Sequence, residues 1–249
     1  MSPTTPRFST APTADIMSSA FWRLATLWTA AVAQTCDEKT LASARESFKK
    51  NGYAVLPGFA SKSEVDAMLS SMSDLVAAWW QDERAAQSVR SHEEREAAVF
   101  RTDENQTAAQ AQSKYFFDSA NRVSFFREPT EEEDGEAPPP LNKVGHGLHL
   151  DGKTPFGTYA QSIAVRDVAR RVAGLTAPVL PQSMYIFKAA RVGGSVTSHQ
   201  DGTFLYTRPQ QTVVGLWLAL DAALQCIGAW RHVFVCAPAR GYSLPRVLG

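Results

Sequence analysis

The sequence predicts an α+β fold in which helices come first and an antiparallel sheet follows. Three observations carry that prediction. Between Lys62 and Trp80 apolar residues recur at spacings of three and four, which gives a helix one apolar face. Later, APVLPQSMYIFKA and TVVGLWLALDAAL are apolar, partly β-branched and bounded by Gly, Pro or Gln, the pattern of buried strands. Helices lead and strands trail, without the regular alternation that builds a parallel sheet.

The elements follow in chain order. Met1 to Asp15 carries Ser, Thr and Pro with little apolar content, a composition that does not order itself. Phe21 to Ala33 is apolar, but it is too short to span a bilayer and Arg23 interrupts it. It reads either as a targeting segment or as a surface helix or extension with no such role. From Leu41 the pattern is globular. ESFKKNGYAVLPGF is a helix end stopped by Asn51 and Gly52, then a short strand ending at Pro57 and Gly58. Ser61 and Ser63 offer N-caps for the next helix, whose apolar face is Val65, Met68, Leu69, Met72, Leu75, Val76 and Trp79.

Asp82 to Ala98 is charge-rich and predicts a solvated helix on which His92 is idle. KYFFDSANRVSFF, with a polar break between apolar ends, predicts a hairpin or strand pair. TEEEDGEAPPP predicts a solvated loop whose acidic residues serve solvation rather than a metal. After LNKVGHGLHLDGKTP, a helical run from Tyr159 to Gly174 places Ile163, Val168 and Val172 on one period, with Gly174 as the stop.

Composition narrows the function. The chain has 249 residues, 44% hydrophobic and 20% charged, enough for one domain with an appendage. Lys+Arg and Asp+Glu each number 25, so the formal net charge of zero supplies no bulk attraction to nucleic acid or anionic membrane. Three cysteines without a CxxC pair make neither a disulfide framework nor a four-thiolate zinc site. A reducing, cytoplasmic location is expected, with organellar targeting by the N-terminal segment as the alternative.

The chemistry centres on SHQDGTFLYT. His199 and Asp201 are two positions apart, so on a strand their imidazole and carboxylate project from the same face. Together they are two-thirds of a 2-His-1-carboxylate set, which holds one face of an Fe(II) octahedron and leaves the other positions open. With five histidines in the chain, chance supplies an HxD pair in about one such sequence in four. This chain holds a second pair, His149 and Asp151, in a Gly-flanked segment without strand-like alternation. His199 follows the Gly193-Gly194 turn between two apolar strands, and that context favours it.

SMYIFK, GGSVTSHQDGTFLYT and VVGLWLAL, in that order, resemble the core of the phytanoyl-CoA dioxygenase family. Upstream, FKKNGYAVLPGF is similar to that family's first strand, KYFFDSANRVSFF to its aromatic hairpin and NKVGHGLH to its pre-helix segment. The resemblance runs from about Leu41 to Asp221, with residues 1–40 as an N-terminal extension and 222–249 as a divergent tail. It implies a double-stranded β-helix, or jelly roll, with flanking N-terminal helices. It also implies Fe(II) as cofactor, 2-oxoglutarate as co-substrate, O2 and a small organic or acyl substrate that is hydroxylated. His199 and Asp201 match the family's iron-binding HxD, and Lys143, Met184 and Trp217 match positions lining its 2-oxoglutarate pocket. Read without the resemblance, Lys143 is a solvated loop lysine, Met184 a core filler and Trp217 a buried aromatic. A point cation suits a dicarboxylate, and the other two supply apolar walls. His146 and His149 then support the site or the fold.

The family's second iron-binding histidine lies far downstream of HxD and is followed by a cationic anchor for the far carboxylate of 2-oxoglutarate. Here His232 is the only histidine after Asp201, and RHVFVC does not resemble that motif. The expectation is therefore a jelly roll incomplete at its C-terminus, with exposed sheet edges, His232 away from the HxD pair and impaired catalysis. The competing readings are a non-catalytic jelly-roll binding or regulatory isoform, and a zinc hydrolase using His146, His149 and Asp151.

Overall fold

A computed structural model of the chain describes residues 37–86, 98–100, 113–129, 139–188, 201–203, 205, 207–221 and 232–236. The first described helix, α1 (Glu38–Asn51), starts on Asp37, whose carboxylate accepts from the Thr40 backbone N–H at 2.9 Å and from its hydroxyl at 2.6 Å. Those two hydrogen bonds hold the Asp37 carboxyl below its ordinary value. The helix ends at Gly52, where φ is 78° and the N–H reaches the Phe48 carbonyl. A side chain at that φ meets its own backbone, so the chain turns into a strand at a glycine.

Strand β1 (Tyr53–Pro57) stands where the sequence predicts a short strand, and its burial alternates, with Ala54 and Leu56 inward. Helix α2 (Lys62–Ala86) opens on a capping box. The Ser61 N–H donates to Glu64 Oε2 at 2.8 Å while the Glu64 N–H donates to Ser61 Oγ at 3.2 Å. Val65, Met68 and Met72 are buried, and Leu75, Val76 and Trp79 extend the same stripe. The helix expected from Asp82 is continuous with α2 as far as Ala86, and His92 lies outside the described residues. So does the acidic loop of residues 130–138.

KYFFDSANRVSFF is not a hairpin. Its first half is a short helix, α3 (Lys114–Asp118), and a 3-10 turn (Ser119–Asn121), and only the second half is strand, β2 (Val123–Arg127). The run YFF lacks the period of two that a half-buried strand needs. The Lys114–Asp118 pair, at 2.6 Å one helical turn apart, closes the helix instead.

Strand β3 (Leu141–His146) occupies the segment left without an element in the sequence reading. Its Lys143 and His146 are buried beside Val144, which hides the alternation. Helices α4 (Pro155–Ala160) and α5 (Ile163–Asp167) begin on Thr154 and Ser162 and run into a π-helical turn (Val168–Val172). Val168 and Val172 are buried as expected, but Ile163 is 57% exposed, because the chain turns between Ala160 and Ile163.

Strand β4 is Ser183–Ile186, a second 3-10 turn is Asp201–Thr203, β5 is Gly215–Leu218 and β6 is His232–Cys236. Asp201 thus stands on a turn rather than a strand, so the same-face argument for the HxD pair does not hold locally. The two late strands, expected to be buried, are only half-buried, and among the described strands β4 and β5 stand at the edges of their sheets.

The strands form two antiparallel sheets, ordered β1-β6-β5 and β2-β3-β4. Five of the six described strands lie between Gly52 and Leu220, and the sixth, β6, pairs with both β1 and β5. The first sheet packs Ala54 and Leu56 on Leu41 and Ala44 of α1 and on Val168 and Val172. The second packs Val144 on Met68 and Met72 of α2 and Phe156 of α4. Tyr159 and Leu218 touch both clusters and join them into one core.

Candidate functional site

Lys143 is placed by the centre of the second sheet. On β3 it stands opposite Phe126 of β2 and Ile186 of β4. Two residues along, Gly145 stands opposite Met184, so Lys143 and Met184 rise from the same face, diagonal neighbours. Gly145 is required there. A Cβ at that position would lie 2.9 Å from the Met184 Cβ and 3.1 Å from the Ser183 carbonyl oxygen.

Lys143 is buried, and burial pushes its ammonium down to about 8. Among the described residues no carboxylate forms an ion pair with it; its neighbours are the faces of phenyl rings. His146, also on β3, packs on the same aromatic group. Burial first, and the nearby Lys143 charge second, push its imidazole down to about 4, so it is neutral at physiological pH. The Ser119 hydroxyl donates to the Phe116 carbonyl and lies 2.7 Å from His146 Nδ1. With its one proton so engaged, Ser119 accepts from Nδ1–H, and this network assigns Nε2 as the unprotonated nitrogen.

The other sheet holds a second pair. A Cβ built on Gly215 would come within 3.7 Å of Asp201 Oδ2, so the carboxylate faces the side of β5 from which Gly215 and Trp217 project. Trp217 is 46% exposed, not a buried barrel aromatic, whereas Leu218 on the opposite side enters the core. The structure therefore brings Lys143 to Met184, and Asp201 to the face bearing Trp217. His199 lies outside the described residues.

The zinc reading fares differently. His146 turns to Ser119, His149 Nδ1 lies 2.9 Å from Ser183 Oγ, and Asp151 Oδ1 accepts from the Lys153 N–H at 2.9 Å. Each has its own partner. Among the described residues no three His, Cys, Asp or Glu side chains converge as a metal site. Sequence reasoning missed the aromatic setting of Lys143, namely Phe100, Phe116 and Phe126. The only local signal was the density of phenylalanine in KYFF and VSFF, since Phe100 falls beside a charge-rich run.

The fold thus combines helices with antiparallel sheets, and it buries a lysine that has no ion-paired carboxylate among the described residues. Residues 48–233 match the family described as phytanoyl-CoA dioxygenase, and the chain belongs to that family. It is 37% identical over 186 residues to phytanoyl-CoA dioxygenase domain-containing protein 1 of Danio rerio, covering 72% of this chain and 60% of the relative. It is similarly 37% identical over 185 residues to the Bos taurus protein of that name, covering 72% and 59%. Phytanoyl-CoA dioxygenase of Arabidopsis thaliana is 36% identical over 180 residues, covering 70% and 56%. The chain thus spans about 60% of the length of the curated relatives it matches. Among the described residues no helix is long and apolar enough to cross a membrane.

Proposed function

We propose that this chain carries the site of an Fe(II)- and 2-oxoglutarate-dependent oxygenase of the jelly-roll type that hydroxylates a small organic or acyl substrate. The observation that carries the reading is Lys143, a buried ammonium that no carboxylate of the described residues neutralises, in a chain of this family. A dicarboxylate supplies the missing counter-charge. Lys143 pairs with one end of 2-oxoglutarate, while Met184 on the same face and Trp217 on the other sheet line its chain. A carboxylate and an imidazole are ligand types that suit Fe(II), so Asp201 and His199 are the residues proposed to hold it. Gly215 leaves room beside the Asp201 carboxylate. When bound, the iron supplies activation of O2 coupled to decarboxylation of the co-substrate; the protein's part is to bind, orient and exclude water.

Within these 249 residues His232 is the only histidine after Asp201, and its backbone stands opposite Pro57 at one end of β6. No family-like motif supplies a second imidazole, so weak turnover by this stretch alone is part of the proposal.

The test is succinate formation from 2-oxoglutarate under O2, with and without added Fe(II), for this chain and for Lys143→Ala. Iron-dependent succinate is expected, with Lys143→Ala raising the 2-oxoglutarate requirement by about tenfold and changing iron affinity little. A chain that neither binds 2-oxoglutarate nor forms succinate is a binding or regulatory protein, and the oxygenase reading fails.

A further inference from the structure

Lys143 sits among three phenyl rings. Its Nζ lies 3.4 Å from the centroid of Phe100, 5.2 Å from that of Phe126 and 5.7 Å from that of Phe116. The rings come from three parts of the chain, and each is fixed. Phe100 is clasped to β2, its N–H donating to the Arg127 carbonyl and the Arg127 N–H donating to the Ala98 carbonyl, both at 2.8 Å. Phe116 rides on α3, and Phe126 is the β2 residue in register with Lys143. Phe100 and Phe116 both meet Phe126 edge-on, at 6.2 and 6.1 Å, and Phe126 is almost wholly buried.

We propose that Phe100, Phe116 and Phe126 form an aromatic box that fixes the Lys143 ammonium and favours its charged form, with Phe100 as the principal ring, so that the full charge is kept for an anionic ligand. The last clause rests on the function proposed above; the box itself does not. A ring face attracts a cation through its quadrupole but carries no net charge. A carboxylate at the same place would neutralise the ammonium and compete with a dicarboxylate for its N–H donors. Ring faces do neither. They also oppose the burial that otherwise drives Lys143 toward its neutral form. Among the described residues the other titratable groups on these rings are Tyr115, 5.4 Å from Phe126, and His146, 5.2 Å from Phe116 and 5.4 Å from Phe126. Being neutral, His146 adds no second positive charge to the box.

The box makes Phe100 a positioning residue, with a test that does not depend on turnover. The rate at which an amine-reactive acylating reagent labels Lys143 is measured against pH by peptide mass spectrometry, in this chain and in Phe100→Leu and Phe100→Tyr. Leucine keeps an apolar side chain without a ring, so the labelling midpoint should fall by about half to one pH unit, while tyrosine should keep the midpoint of the parent. An unmoved midpoint in Phe100→Leu overturns the proposal. Should that variant melt well below the parent, Phe116→Leu takes its place with a smaller expected fall, and no fall there is equally fatal. Calorimetric titration with 2-oxoglutarate then separates the two ideas. About threefold weaker binding in Phe100→Leu, and weaker still in Lys143→Ala, supports both. Unchanged binding in Lys143→Ala alongside a shifted midpoint in Phe100→Leu defeats the co-substrate role and leaves the box standing.

Discussion

Lys143, buried with no ion-paired carboxylate among the described residues, costs stability that the ring faces offset only in part. Its folded value of about 8 lies below the ordinary 10.5, so at neutral pH the folded state holds a charge it would rather release. Lys143→Met fills similar volume without the charge, and the fold should gain on the order of 1–3 kcal/mol at pH 7 while losing affinity for 2-oxoglutarate. Urea unfolding at pH 7 checks this, and an unchanged or lower midpoint would show that Lys143 is adequately solvated. His146 has the same sign at lower pH. Its folded value of about 4 lies below the ordinary 6.5, so between those values the unfolded chain binds a proton that the folded chain refuses. Stability should therefore be full above about pH 6.5 and decline as pH falls toward 4. Replacing His146 with Phe should flatten that slope in unfolding midpoints measured from pH 4 to 7.

At the scale of the element, two glycines separate two causes. Gly52 has open space around an added Cβ and a φ of 78°, so Gly52→Ala should cost about 1 kcal/mol through backbone strain alone, with Gly52→Asn milder. Gly145 has crowding instead, with the Met184 Cβ in its way. Gly145→Ala should cost more, about 1–3 kcal/mol, by prising β4 from β3. Equal losses in thermal unfolding would mean that the β3–β4 strand pair yields easily. The helix stop at Gly52, β1 and α2 were legible because each was written in a local signal: a glycine after a polar turn, a short apolar run ended by Pro57 and Gly58, a period of three and four. KYFF and LNKVGH were not. In the first, an aromatic run has no period of two and the helix that forms carries a Lys114–Asp118 pair one turn apart; in the second, buried Lys143 and His146 replace the apolar residues that a strand reading requires. The site divides in the same way. HxD is visible as a short motif, whereas Lys143, Met184 and Trp217 came through family resemblance, and the rings around Lys143 through none. Phe100 and Phe126 reach Lys143 through two separate backbone pairings of β2, and Phe116 arrives on α3.

For the whole molecule, the order β1-β6-β5 matters more than the number of strands. β6 lies between the other two, with Val235 in register with Ala54 on one side and Leu216 on the other. Five of the described strands come before Asp221, yet β1 and β5 have no direct pairing in that order and are held to each other through residues 232–236. The sheet that presents Gly215 and Trp217 beside Asp201 thus depends on a strand from beyond Asp221. Proline at position 235 has no N–H to give the ladder, and its ring does not fit a central strand. Val235→Pro should lower stability by about 3 kcal/mol or more and broaden the urea transition, because Leu218 and Tyr159 transmit the loss from one hydrophobic cluster to the other. The amides of Ala54 and Leu216 should lose hydrogen-exchange protection together, while Val144, in the other sheet, should lose it less. If the protection of Ala54 and Leu216 survived the proline, β6 would not be what joins β1 to β5, and the first sheet would need another centre.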